Sequence, residues 1–398
     1  MRVLSVAAVL LLAACSAFPR GTVPPYVPLA DPHPDSVESV LFLIGDAGLS
    51  RETFAPLIIH LQRDVEWWSG RLGRDSAVAV LYLGDNVYPR GVHGPEDPEF
   101  PRDSAQMDHQ VAVVSGPEAM RHKSVGWFIP GNHDWAQSTT ERGLRQLRFQ
   151  EDLLERMRAR GPRVALLPRA GNGGPHVVDV GRHLRVLMLD TAWWLLETSD
   201  EAKQKVISGI EDAMRTRGSR EIVIAAHHPL KSGSSHGGLV PIWQTLGIEY
   251  LLYRSGAMLQ DLNSIPYKSF NRGLRGVFAR VGSPLLFAGG HDHSLQVLQA
   301  TDPTDPRFMV VSGSGSKSSP VEWRPGMLFK EADPGYMRLV TYRNGAMQLF
   351  VTAAPKDMVD CTAADVTLRQ QCSTAALAGF RAYYSLQLRG PGVRSAAR

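Results

Sequence analysis

An α/β fold is predicted for this 398-residue chain, and three features of the sequence predict it. Apolar runs of strand length recur at 39–45, 77–84, 124–130, 184–190, 221–226, 284–289 and 307–312. Amphipathic segments fall between them, notably 141–160 and 199–217, and an α/β chain reads as this alternation of strand and helix patterns. Five of the runs also end in short polar segments: Gly45-Asp46-Ala47-Gly48, Gly84-Asp85-Asn86-Val87-Tyr88, Gly131-Asn132-His133-Asp134, Ala226-His227-His228-Pro229 and Gly290-His291-Asp292-His293. Their polar residues emerge at the carboxyl ends of strands, the edge of an open α/β sheet where sites form.

The amino terminus begins Met1-Arg2 and continues with a stretch, 3–14, that is apolar except for Ser5. A charged start with a short apolar core reads as a secretory signal and is too brief to span a membrane. Leu12-Ala13-Ala14-Cys15 resembles a bacterial lipobox. That resemblance implies a signal peptide over 1–15, cleavage before Cys15, and a lipid on Cys15 that holds the protein to a membrane on the periplasmic or cell-surface side. Ser16 resembles the residue type that directs such lipoproteins to an outer membrane. Residues 17–34 hold six prolines and little apolar periodicity, so 16–37 is expected to extend as a tether. Residues 38–354 then form the catalytic domain, with 337–351 as a closing hairpin around Asn344-Gly345. No internal repeat and no later membrane span is evident. A C-terminal extension, 355–398, carries Cys361 and Cys372, which pair as a disulfide in an oxidising compartment or remain two thiols. Within 239–280, Trp243, Tyr250, Tyr253, Tyr267 and Phe270 line a substrate cleft or belong to the core.

A single Gly-Asp after a strand is ordinarily a turn or a helix cap. Five strand ends carrying Asp, Asn, His and Tyr are instead the hard oxygen and imidazole donors suited to a pair of first-row metal ions, with no thiolate involved. The order and local wording of these segments resemble the calcineurin-like metallophosphoesterases, and within them the purple acid phosphatases of the small tartrate-resistant type, over roughly 39–320. Most members of the superfamily carry Asp-x-His in the first segment; here the third position is Gly48, and Tyr88, three residues after Asp85, stands in for the missing ligand. That exchange is the mark of the purple acid phosphatases. A phenol with a pKa near ~10 ionises at neutral pH only beside a strong Lewis acid, which favours ferric iron. Tyr88 can also be read as a half-buried aromatic at a strand end.

The resemblance implies two mixed β-sheets packed face to face with helices outside, a four-layer α/β/β/α sandwich. It implies one site of Asp46, Asp85, Tyr88 and His293 for Fe(III) and another of Asp85, Asn132, His227 and His291 for a divalent iron, zinc or manganese, bridged by Asp85. The family pattern of His, any residue, Pro selects His227 as the ligand and leaves His228 to pack behind it. His133 and His236 are expected to face the phosphoryl group, where a protonated imidazole balances charge and donates the leaving group's proton, with Asp134 orienting His133. His236 also lies in a segment, 232–238, that reads as a solvated loop.

The function implied is hydrolysis of phosphate monoesters, from a phosphorylated small molecule or phosphoprotein, by attack of a metal-bound hydroxide. No Walker loop is present to supply other chemistry, and Ser312-Gly313-Ser314-Gly315-Ser316 reads as a turn more readily than as a phosphate cradle. A net charge of +4 with scattered basic residues argues against nucleic acid as partner. A phosphodiesterase or nucleotide pyrophosphatase on the same metal core, and an envelope lipoprotein without activity, are the alternatives.

Overall fold

Strand β1 (Val37–Ile44) is buried along its whole length, and its alternation shows why. Leu41 and Leu43 join Ala79 and Leu81 of β2 (Ala77–Tyr82) in a core shared with Val223 and Ala225 of β7 (Glu221–Ala225) and Leu286 and Ala288 of β8 (Leu286–Gly289). Val40, Phe42 and Ile44 face the other way, into a cluster with Leu57, Leu61, Val65 and Trp68 of helix α1 (Ala55–Arg71). Successive residues of a strand face opposite sides, so a continuous apolar run means cover on both faces. Truncating a side chain such as Leu43 to Ala would cost about 2–5 kcal/mol.

The computed structural model describes residues 29–137, 140–237, 259–354, 356–359 and 380–390. They form two mixed seven-stranded sheets. In the first, β1, β2, β3 (Val125–Phe128) and β4 (Arg163–Leu166) run parallel, and β12 (Gly335–Tyr342), β13 (Met347–Ala353) and β14 (Arg381–Arg389) continue antiparallel beside β1. In the second, β6 (Leu184–Met188), β7, β8 and β10 (Phe308–Ser312) run parallel, flanked by β5 (His176–Val180) on one edge and by β9 (Leu295–Gln299) and β11 (Met327–Glu331) on the other. With helices outside, this is the two-sheet α/β sandwich expected from the sequence.

The helices outside the sheets are α1, α2 (Phe100–Val111), α3 (Pro117–His122), α4 (Thr140–Arg158), α5 (Thr191–Leu196), α6 (Asp200–Arg215) and α7 (Ile265–Val281). Local chemistry sets several of their starts. Ser199 caps α6 by accepting the Ala202 N–H, with Asp200 and Glu201 in the first turn; Asp190 caps α5 and Ser264 caps α7 in the same way. The hairpin turns at Asn344-Gly345, where Gly345 has φ +82°.

Two expectations about the domain's ends need adjusting. The tail expected to be an extension returns to the fold as β14, at the edge of the first sheet. The last part of the expected tether, from residue 29, also lies on the domain: the Leu29 N–H donates to the Ala382 carbonyl at 2.8 Å, and Asp31 pairs with the buried Arg338. Tyr267 and Phe270 are buried in α7, which settles them as core. Cys15, Cys361, Cys372, Trp243, Tyr250 and Tyr253 lie outside the described residues, as do the signal and lipid anchor. Among the described residues no helix is long and apolar enough to cross a membrane.

Candidate metal centre

The parallel strands β1, β2 and β3 end side by side, and so do β7 and β8 in the facing sheet. The residues just past these ends converge. Three of them, Asp46, Asp85 and His291, hold the left-handed backbone region at φ 58°, 55° and 67°. Residues other than glycine rarely sit there, and such conformations cluster at sites where surrounding structure enforces them. Here the Asp46 N–H donates to the Gly84 carbonyl, the His291 N–H to Asp46 Oδ2 at 2.7 Å, and the His133 N–H to Asp85 Oδ1 at 2.9 Å.

The side chains fall into two groups that share Asp85. In one, the Tyr88 hydroxyl lies 3.1 Å from Asp46 Oδ1, 3.0 Å from Asp85 Oδ2 and 3.4 Å from His293 Nε2. In the other, His227 Nε2 lies 2.9 Å from Asn132 Oδ1, 3.4 Å from Asp85 Oδ1 and 3.2 Å from His291 Nδ1. One carboxylate oxygen of Asp85 therefore faces each group. Asp46, Asp85 and His227 each present a donor atom within 4.8 Å of the others, all buried.

Proton placement shows what the second group lacks. His227 Nδ1 faces the Leu83 carbonyl at 2.8 Å and His291 Nε2 faces the Gln260 carbonyl at 3.0 Å. A carbonyl only accepts, so each of these nitrogens carries a proton. Burial pushes both imidazoles below their usual pKa, His291 far below, so both are neutral. Two lone pairs, His227 Nε2 and His291 Nδ1, then face each other beside the Asn132 oxygen with no proton between them. A cation supplies what that arrangement needs.

The first group has the complementary excess. Burial and the Asp85 charge push the Asp46 carboxyl well up, and burial with both carboxylates pushes the Tyr88 phenol well up. Asp85 accepts the His133 N–H and the Tyr88 hydroxyl, and these bonds favour its charged form against the effect of burial. One phenolic proton serves two carboxylates; a metal ion in its place would reverse the balance and favour phenolate. The donor set fits a metal in each group.

Glycine makes room for this arrangement at two positions. A Cβ at Gly48 would lie 2.8 Å from both the Tyr88 ring and the Asp85 carbonyl, so the phenol occupies the space a side chain at 48 would need. Gly84, at φ +89°, leaves space for the His227 ring.

Around the cluster, His133 packs its ring against Tyr88 with centroids 4.3 Å apart, and its Nδ1 donates to the Pro89 carbonyl at 2.7 Å. Asp134 does not orient it: the Asp134 carboxylate accepts the N–H groups of Asn86, Val87 and Gly131 and ties the loops after β2 and β3 together. His236 lies over His291, centroids 4.1 Å apart, with Nδ1 3.0 Å from Asp261 Oδ1. Burial would lower its pKa, but Asp261 and Asp292 more than offset that and raise it. His228 is buried behind the ligands between Thr191 and Gln260, and burial brings it to about 3. The tract Ser312 to Ser316 braces the first loop: the Gly45 N–H donates to the Ser312 carbonyl, and Ser316 Oγ to the Asp46 carbonyl.

Gln260, Asp261 and Lys317 were not anticipated. The first two lie in the long stretch after His236 that carries no motif, although an Asp following a Gln there is a visible polar pair; Lys317 directly follows the Ser-Gly tract. Lys317 Nζ stands 3.4 Å from the centroid of the Tyr88 ring.

No protein-family model and no curated protein sequence matches the chain. Solved structures do. One is GAP50, the anchor in the inner membrane complex of Plasmodium, at 14% identity and TM-score 0.51, with 91% of this chain and 99% of that one covered. Another is the purple acid phosphatase PPD1 from yellow lupin (Lupinus luteus) seeds, at 14% identity and TM-score 0.50, with 79% of this chain and 51% of that one covered. At this identity the likeness is one of fold.

Proposed function

We propose that this chain is an exported, lipid-anchored phosphatase that hydrolyses phosphate monoesters at a dinuclear centre of Fe(III) and a divalent iron, zinc or manganese. The observation that carries the reading is Asp85, with one carboxylate oxygen in each of two donor groups that are short of cations. Asp46, Tyr88 and His293 complete the ferric site; Asn132, His227 and His291 complete the divalent one. Bound there, the metal pair supplies Lewis-acid charge and an activated water for in-line attack at phosphorus.

The remaining residues bind and move protons. His236, held by Asp261 and favouring its protonated form, donates to the leaving alkoxide. His133, fixed by Pro89, faces the phosphoryl group beside Tyr88. The Asp134 clasp keeps Asp85 and Asn132 in register through their loops. The lipid anchor on Cys15 rests on the sequence alone.

The test is a visible spectrum and an aryl phosphate assay on protein purified without chelator. A tyrosinate-to-iron band near about 500–570 nm that disappears in Tyr88→Phe, with hydrolysis dependent on bound metal, supports the reading. A colourless, active protein holding two divalent ions would remove iron from it. Preferential cleavage of aryl diesters would favour a phosphodiesterase. The match to an anchor protein along nearly its full length favours one further reading, a binding or envelope role without catalysis. No turnover after adding iron, zinc or manganese would support that role against ours.

A further inference from the structure

We propose that Lys317 is the specificity-determining residue of this site, its ammonium taking the anionic phosphoryl oxygen that the two metal positions leave uncovered and so selecting monoesters over diesters. The proposal rests on the phosphatase reading above and sharpens its substrate class.

Lys317 stands over the face of Tyr88, whose hydroxyl touches Asp46 and Asp85. Burial lowers its pKa and the charges of both carboxylates act against that, yet among the described residues no carboxylate is in direct contact with it. Its backbone is held on both sides by the ligands' own loops. Ser316 Oγ donates to the Asp46 carbonyl, Ser314 Oγ to the Lys317 carbonyl at 3.2 Å, and the Ser319 N–H to the His293 carbonyl at 2.7 Å. The backbone of this half-buried lysine is thereby fixed beside the oxygen-donor group, and its flexible stem suits the ammonium to act as a point charge on phosphate.

Charge balance then decides its partner. With cations bound, Asp46 and Asp85 are neutralised and no longer hold the ammonium, which needs another anion. A monoester offers three non-bridging oxygens and a diester two. Metals bound in the two groups would take two of them, so the third would tell a monoester from a diester, and Lys317, beside Tyr88, would meet it.

The experiment measures calorimetric binding of inorganic phosphate and of dimethyl phosphate to the metal-loaded full chain, for wild type, Lys317→Met and Lys317→Gln. Metal content is checked in each, and kcat/KM for an aryl monoester and its diester is measured alongside. We expect both variants to weaken phosphate at least about tenfold and dimethyl phosphate by less than about threefold, with the monoester-to-diester ratio of kcat/KM falling to match. Equal losses for both ligands, or none, would overturn the proposal and leave Lys317 as a cation stacked on Tyr88. A wild type that turns over neither ester would defeat the phosphatase reading, while the two binding constants would still decide the role of Lys317.

Discussion

The two sheets contribute different chemistry to the centre. Loops of the first, after β1, β2 and β3, supply oxygen donors: Asp46, Asp85, Tyr88 and Asn132. Loops of the second, after β7 and β8, supply imidazoles: His227, His291 and His293. The oxygen side carries excess negative charge on one phenolic proton, and the imidazole side carries neutral rings with lone pairs turned inward. Neither sheet holds a complete coordination set, so metal binding is expected to report on the packing of the sheets as much as on the ligands. The second sheet is also aimed by the first, because the Leu83 carbonyl at the end of β2 fixes the His227 tautomer.

The largest effect should come from the residue that belongs to both groups. Asp85→Asn removes the shared charge, and we expect loss of both metals and a fall in aryl phosphate hydrolysis of at least about a thousandfold. Metal analysis with circular dichroism would show whether the fold survives. Retention of one metal would mean that the groups are independent.

Next is His236, the proposed proton donor beside the imidazole side. His236→Asn should lower kcat by about 10²–10⁴-fold for a poor alkoxide leaving group and much less for a nitrophenolate, the range general acid catalysis contributes. Asp261→Asn should reproduce the leaving-group dependence in weaker form. Equal effects on both leaving groups would make the pair structural.

On the oxygen side, Gly48→Ala should overpack against Tyr88 and Asp85 and cost about 1–3 kcal/mol in denaturant unfolding. An unchanged midpoint would show that the Tyr88 ring can move aside.

The last effect concerns a tie between the sheets away from the metal centre. Asp190 follows β6, caps α5, and accepts the Trp135 indole N–H at 2.9 Å from the loop after β3. Burial raises its carboxyl from the usual range to about 7. The folded state therefore keeps a proton that the unfolded chain releases, so this group's contribution to stability is greatest below about pH 4 and declines until about pH 7. Asp190→Asn should remove that decline from the pH dependence of unfolding. An identical slope in the variant would place the Asp190 pKa near its ordinary value.

Much of this contrast was legible in the sequence because its carriers are chemical types at strand ends. The apolar runs set β1, β2, β3, β6, β7, β8 and β10, and the polar residues after five of them are the ones that converge. What escaped is what only tertiary structure assembles. Asp261 reaches the centre from a loop with no motif, and Lys317 from the residue just after a tract that reads as a turn. Asp134 points to the backbone of a neighbouring loop, which spacing beside His133 does not reveal. β14 pairs with β13 across about 40 residues, where β pairing leaves no local signal, and α1 follows Phe54, an N-cap with no capping side chain to announce it.

The most direct test is anomalous diffraction from crystals of the metal-loaded protein at the absorption edges of iron, zinc and manganese. The account expects two peaks about 3.5 Å apart on either side of the Asp85 carboxylate, one against Tyr88 and the other against His227 and His291. A single peak away from Asp85, or none after metal loading, would contradict it.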